Sequence, residues 1–119
     1  VSRALGGAAA GDHSPAAARL TEFLAGSDPQ PLFLCGDALE TLRLFPDASV
    51  DCCLTSPPYF GHRRYAGGGI GAEGRWQDYV AALGAVTAEL RRVLKPAGSL
   101  WLNLGDTYRG KRLLGIPWR

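Results

Sequence analysis

Thr55-Ser56-Pro57-Pro58-Tyr59-Phe60 places a hydroxyl, two prolines and an aromatic ring directly after the apolar run Val50 to Leu54. On an exocyclic amino group of a nucleobase, whose lone pair is delocalised into the ring, each of these residue types has a use. The Ser56 hydroxyl and the Pro57 carbonyl can accept the two amino hydrogens and draw the lone pair out of conjugation toward an electrophile. Consecutive prolines, with fixed φ and no N–H, keep that acceptor pair rigid without adding donors, a form of preorganisation. Tyr59 offers a flat face on which an extruded base can stack. Taken alone, Pro-Pro-Tyr reads first as an ordinary turn with an aromatic plug or as a proline-rich recognition segment. Its surroundings reverse that preference.

Those surroundings must position the turn. Pro31-Leu32-Phe33-Leu34-Cys35 is a short apolar run closed by Gly36-Asp37, followed by Leu39, Leu42 and Phe45 at helical spacing and the loop Pro46 to Ser49. With Val50 to Leu54 this reads as strand, helix, strand. Apolar strands joined by helical crossovers belong in a parallel sheet, whose ligands sit at the carboxyl ends of the strands. Asp37 and Ser56 both fall at such ends. Trp76, Tyr79, Val80, Leu83, Val86, Leu90, Val93 and Leu94 then repeat on one face of a long helix. Arg91, Arg92 and Lys95 suit the negative end of its dipole, and Pro96 with Gly98 is expected to stop it. A third apolar strand, Leu100 to Leu104, puts Asp106 and Tyr108 on the same rim, either bordering a pocket or, for Asp106, capping the turn.

Gly61-His62-Arg63-Arg64-Tyr65 followed by Gly67-Gly68-Gly69 combines charge, an aromatic ring and a hinge beside that rim. It suits contact with phosphates as well as it suits a solvated loop. His13, His62 and the cysteines do not stand at metal-ligand spacing. Gly69-Ile70-Gly71-Ala72-Glu73-Gly74 matches G-x-G-x-x-G in letters, but it follows a loop rather than a strand and is read as loop. Cys35, Cys52 and Cys53 lie in predicted buried strands, where free thiols in a reducing compartment fit better than disulfides. No apolar stretch approaches the ~20 residues of a membrane helix, so the expected location is the cytoplasm. A net charge of +2 is too small to argue for nucleic acid by itself. Residues 1–28 are Ala- and Gly-rich, with one helix expected from Pro15 to Ala25, capped by Ser14 and closed by Gly26.

From about Leu32 to Arg119 the order of motifs resembles the DNA amino-methyltransferases, in the arrangement that sets the catalytic turn ahead of the cofactor loop. The resemblance rests on Leu34-Cys35-Gly36-Asp37-Ala38, Ser49 to Tyr59, Ile70-Gly71-Ala72-Glu73, Arg91 to Pro96, Leu100 to Tyr108 and Gly115-Ile116-Pro117-Trp118-Arg119. It implies an α/β class, a partial Rossmann-like S-adenosylmethionine-dependent methyltransferase fold of parallel strands with crossover helices. It places Asp37 and Ala38, with Thr55 and Ser56, against the cofactor S-adenosyl-L-methionine, Asp37 near the adenosine part. Ser56, Pro57, Pro58 and Tyr59 become the catalytic turn that receives a base flipped from double-stranded DNA, and Phe60, Arg63, Arg64 and Tyr65 become DNA contacts. Serine at the first position of that turn is typical of members that modify cytosine at N4; adenine-modifying members more often carry Asp or Asn, and some carry Ser.

The expected function is therefore cytosine-N4 methylation of DNA in a bacterial restriction-modification system. Adenine-N6 methylation is the alternative, as is an inactive fragment or subunit that binds nucleic acid or a partner chain. Methylation of a glutamine side chain fits less well, because such enzymes usually show Asn-Pro-Pro-Tyr. The family's Asp-Pro-Phe-x-Gly-x-Gly cofactor segment and its target-recognition region have no counterpart here. Residues 29–119 are thus expected to be a partial catalytic domain, the N-terminal part of a longer enzyme or one needing a complementing chain. With few helices to cover apolar strands, this part is expected to be marginally stable and catalytically silent by itself.

Overall fold

A computed structural model describes residues 15–27, 30–63 and 68–119. The chain divides into two compact units, Val1–Gly36 and Asp37–Arg119.

In the first unit α1 runs from Pro15 to Ala25, with Pro at the position where a missing N–H costs nothing, and buries Leu20. Gly26 closes it, its N–H donating to the Glu22 carbonyl at 3.0 Å. The expected cap, Ser14, lies outside the described residues. The strand expected at Pro31 to Cys35 does not form: the segment is irregular, with Phe33 80% exposed. Its side chains alternate between half-buried and exposed as a strand's would. A strand also needs a neighbour's backbone, which an apolar run cannot announce.

The second unit carries the remaining elements. Asp37 starts α2 (Ala38–Arg43), its Oδ1 accepting from the N–H groups of Leu39 at 2.9 Å and Glu40 at 3.1 Å. β1 (Val50–Thr55) is followed by α3 (Trp76–Val93) and β2 (Leu94–Leu102). β1 and β2 pair in parallel, with Cys52 opposite Ser99, Leu54 opposite Trp101 and Thr55 opposite Leu102. The architecture is mixed α/β with a two-stranded parallel sheet and α3 as its crossover.

Helix α3 ends one residue earlier than its apolar pattern suggests, because Leu94 is already extended and opens β2. Pro96 and Gly98 do not act as a helix stop; they lie inside the strand. A side chain at Gly98 would bring Cβ to 3.0 Å from the Lys95 carbonyl and 3.1 Å from that of Asp51. Glycine there admits the register shift between Val50 and Cys52. Lys95, also in β2, pairs with Asp51 at 2.8 Å.

Arg92 does more than complement a helix dipole. Its guanidinium donates to the carbonyls of Leu42 (2.9 Å) and Phe45 (2.8 Å), to Asp47 (2.6 Å) and to Glu89 (2.7 Å). One planar fork thus adds donors to carbonyls at and just past the end of α2 and ties that helix to α3.

The core beneath the sheet's carboxyl end gathers Phe60, Tyr79, Leu83 and Ile116, with Ile70, Trp76, Val80, Leu104 and Leu114 against them. The Tyr79 hydroxyl is buried and has no hydrogen-bond partner among the described residues. Burial, then the nearby Glu73 and Tyr59, pushes its pKa up, so it stays a neutral phenol. One side of the sheet is bare: neighbouring Leu54 and Trp101 are 81% and 65% exposed. The cysteines are more open than their apolar neighbours suggest, Cys35 and Cys52 being exposed and Cys53 half-buried. In a strand alternate residues point to opposite faces, and Cys52 shares the uncovered one with Leu54.

Beyond β2 the chain makes a short antiparallel hairpin, β3 (Tyr108–Arg109) and β4 (Arg112–Leu113), then a single 3-10 turn at Ile116–Trp118. Gly110 and Lys111 join the hairpin strands with φ of 57° and 64°. Positive φ at both central residues is the mark of a type I′ turn. For Lys111 that backbone costs about 1 kcal/mol that glycine would avoid.

Candidate active site

Where β1 ends, the chain from Ser56 to Tyr59 borders a depression of about 380 Å³. Ser56, Pro57, Pro58, Tyr59, His62 and Arg63 line it. The Ser56 Oγ and the Tyr59 hydroxyl lie 3.3 Å apart, either able to donate to the other. A hydroxyl acceptor and the edge of an aromatic platform therefore share one mouth, held by a proline pair with no spare donors.

The turn is braced on several sides. Gly105, just past β2, lies against the Tyr59 ring: a Cβ there would stand 2.6 Å from both Cδ2 and Cε2. The His62 ring sits perpendicular to Tyr59, with centroids 5.6 Å apart and an interplanar angle of 89°. Nε2 of His62 is 3.1 Å from the Asp106 carbonyl, which can only accept, so this nitrogen carries the proton. Gly71, at φ 97°, brings its backbone against Pro58 and Tyr59, where a Cβ would meet Pro58 at 3.0 Å. Its carbonyl accepts from Gly61 N–H at 2.9 Å, and its own N–H donates to Glu73 Oε2 at 2.8 Å. The Thr107 hydroxyl donates to the Phe60 carbonyl at 2.6 Å.

Asp106 resolves an alternative the residues had left open. Its carboxylate accepts from the N–H groups of Thr107 (2.8 Å), Gly115 (2.9 Å) and Ile116 (3.0 Å), and so caps the turn rather than lining the depression. Desolvation works to raise its pKa, but the N–H groups of Ile116, Thr107 and Gly115 and the charge of Arg119 together hold it below its ordinary value.

Of the residues singled out from sequence, Ser56, Pro57, Pro58, Tyr59 and Arg63 come together around one space. Thr55 is half-buried at the end of β1, its carbonyl accepting from Asn103 N–H at 2.9 Å. Asp37 and Ala38 lie at the start of α2, exposed and outside that lining. Phe60, expected to face DNA, is 1% exposed in the core and supports the turn from behind. Arg64 and Tyr65 lie outside the described residues. His62, Gly71, Gly105 and Thr107 all fell within motifs noted in sequence, but their bracing contacts with the turn were not among the expectations. Only Gly105, directly after an apolar run, carried a hint of close approach. Among the described residues no group of three His, Cys, Asp or Glu is placed to hold a metal ion, and no helix is long and apolar enough to cross a membrane.

Gly105→Ala is expected to tilt the Tyr59 ring while leaving the other lining residues in place. Overpacking of this kind costs about 1–3 kcal/mol. Activity should fall about tenfold, as an ångström of misplacement in a site can cost even more. Equal turnover and melting midpoint for this variant and the wild type would show that the ring is not held there.

A parallel sheet whose first strand ends in a proline-rich, aromatic, hydroxyl-bearing segment frames one candidate site. Residues 50–116, more than half of the chain, match the DNA methylase family, and the chain belongs to that family. It is similar to the type II methyltransferase M.SmaI of Serratia marcescens, 44% identical over 87 residues, covering 72% of this chain and 29% of that protein. It is 39% identical over 127 residues to M.XycI of Xanthomonas campestris pv. cyanopsidis, covering 76% of this chain and 42% of the relative. With M.Cfr9I of Citrobacter freundii the identity is 37% over 114 residues, covering 71% and 38%. The chain thus spans less than half the length of each of these relatives.

Proposed function

We propose that this chain carries the catalytic turn of a DNA methyltransferase of the restriction-modification type, which transfers a methyl group from S-adenosyl-L-methionine to the N4 amino group of cytosine. The observation that supports this most is the convergence of the Ser56 hydroxyl, the two prolines and the Tyr59 ring on one open depression. Membership of the DNA methylase family and similarity to type II methyltransferases support the DNA-methyltransferase part of this reading, while the choice of cytosine rests on Ser56. In this reading residues 29–119 belong to a Rossmann-like catalytic domain, and its partner is duplex DNA with the target base flipped out.

The base stacks on Tyr59, whose ring is fixed by Gly105 and His62. Ser56 Oγ and the Pro57 carbonyl accept the two amino hydrogens, so the nitrogen lone pair leaves conjugation with the ring. Bound S-adenosylmethionine supplies the methyl as a sulfonium carbon, whose C–S bonding pair returns to sulfur as the amine nitrogen takes the carbon. A neutral hydroxyl is too weak a base to keep the surplus proton, which leaves the open depression to solvent. Asp37 fits the adenosine part chemically: Oδ1 is engaged in the α2 cap, while Oδ2 takes no part in it. Thr55 and Ser56 complete that side, and Arg63 faces the DNA backbone from the rim.

The test is transfer of isotopically labelled methyl to duplex DNA by this chain together with the cofactor-binding and target-recognition segments expected to complete it, followed by digestion to nucleosides. N4-methylcytosine is expected. N6-methyladenine would overturn the base assignment while keeping the reaction, and unlabelled DNA would overturn the reading itself.

A further inference from the structure

We infer that the β3–β4 hairpin is a second DNA contact of this site, gripping backbone phosphates through Arg109, Lys111 and Arg112; the inference rests on the reading of the turn as DNA-modifying. Arg109-Gly110-Lys111-Arg112 carries three cations in four residues, all exposed. None of the three is in an ion pair among the described residues. The carboxylate nearest in sequence, Asp106, is taken up by three backbone N–H groups and so is poorly placed to neutralise them.

The hairpin is attached to the catalytic turn rather than merely near it in sequence. The Thr107 hydroxyl holds the Phe60 carbonyl at 2.6 Å, and Arg109 Cζ lies 5.7 Å from the centroid of the Phe60 ring. Two residues ahead of β3, the Asp106 carbonyl fixes His62 in the lining of the depression. A phosphate backbone entering the site with its flipped base would therefore meet these cations and Arg63 on connected supports. Phosphate contacts of this kind set register and orientation without reading sequence. Tyr108, 70% exposed at the base of the hairpin, adds a flat apolar surface beside them.

Lys111 is the observation that separates this surface from an ordinary solvated turn. It stands at φ 64°, where a type I′ turn favours glycine or asparagine. Of the two non-glycine residues at positive φ among the described residues, Ala48 and Lys111, only Lys111 carries a charge, and retained strain is a ground for asking what a residue does. Here the strained residue is a cation at the outermost point of a basic hairpin.

The experiment is duplex DNA binding by the protein across a range of salt concentrations, for the wild type, Lys111→Gly, and Lys111→Gly combined with Arg112→Gln. The slope of log affinity against log salt should fall by about 0.9 for each phosphate-contacting cation removed, and affinity at low salt should drop for cognate and unrelated duplexes alike. Glycine adopts the Lys111 backbone freely, so Lys111→Gly should melt no lower than the wild type. Weaker binding in that variant therefore cannot come from unfolding. An unchanged slope in both variants, with a wild type that does bind DNA, overturns the hairpin as a contact and leaves the catalytic reading standing. A wild type that binds no duplex overturns both.

Discussion

Ser56→Ala is expected to cut methyl transfer about a hundredfold or more and Tyr59→Ala up to about a hundredfold, with little change in the melting midpoint. The magnitudes have separate sources. Removing one preorganised hydrogen-bonding group from a reacting centre typically costs about 10²–10³ in turnover. Stacking of a base on an aromatic ring contributes about 1–3 kcal/mol, so its loss alone is worth about five- to a hundredfold, and Tyr59→Ala reaches the upper end only if stacking is the main hold on the base. The fold should tolerate both changes, because neither side chain belongs to the buried cluster of Phe60, Tyr79, Leu83 and Ile116. The two variants should also differ in kind. Ser56→Ala keeps the platform, so a fluorescent adenine analogue at the target position should still report an extruded base while methyl transfer fails. Tyr59→Ala should lose both signals. Wild-type turnover in Ser56→Ala would eliminate the acceptor role assigned to its hydroxyl. Unaltered extrusion in Tyr59→Ala would eliminate stacking as the means of holding the base.

Asp106→Asn is expected to lower the melting midpoint by several degrees at neutral pH, and the deficit should close as pH falls. The sign follows from the direction of its pKa. Desolvation opposes ionisation, yet the N–H groups of Ile116, Thr107 and Gly115, with Arg119, hold the folded-state value below the ordinary one. A carboxyl depressed on folding contributes stability that is fully present above its unfolded pKa, about 4, and that is lost as pH falls through the folded value. Melting midpoints of wild type and variant should thus be furthest apart near pH 7 and converge below about pH 4. A constant gap across that range would mean that the cap acts through shape and not through charge. The same variant should lose some activity, since the backbone of Asp106 holds His62 and the residues after it carry the hairpin.

The bare sheet face bears on how such measurements are read. Leu54 and Trp101 stand side by side in solvent, and apolar sheet surface of this kind invites association. Binding and melting experiments are best run at several protein concentrations, where self-association shows itself as a concentration-dependent midpoint.

Local features were legible in the residue types and their spacing. The three-and-four spacing from Trp76 to Val93 made a helix and the Pro15 to Gly26 punctuation bounded another, whereas Asp37, read as the end of a strand, proved to cap a helix. The apolar run ending in Ser-Pro-Pro-Tyr marked the candidate site, since residue types and fixed proline geometry carry that information in a few adjacent positions. Wherever a partner distant in the chain settles the outcome, the chain had to fold before the answer existed. Pro31 to Cys35 and Val50 to Leu54 are both apolar runs, yet only the second found a neighbouring backbone with which to form a strand. Phe60 follows Tyr59 directly, and its assignment to core rather than surface depended on Tyr79, Leu83 and Ile116 arriving behind it. Gly98 looked like a helix stop because its close approach to Asp51, 47 residues earlier, is invisible in the local pattern. Gly105, His62 and Thr107 brace the Ser56 to Phe60 segment through single contacts of this long-range kind, which leave no periodicity in the chain and exist only once β1 and β2 lie side by side.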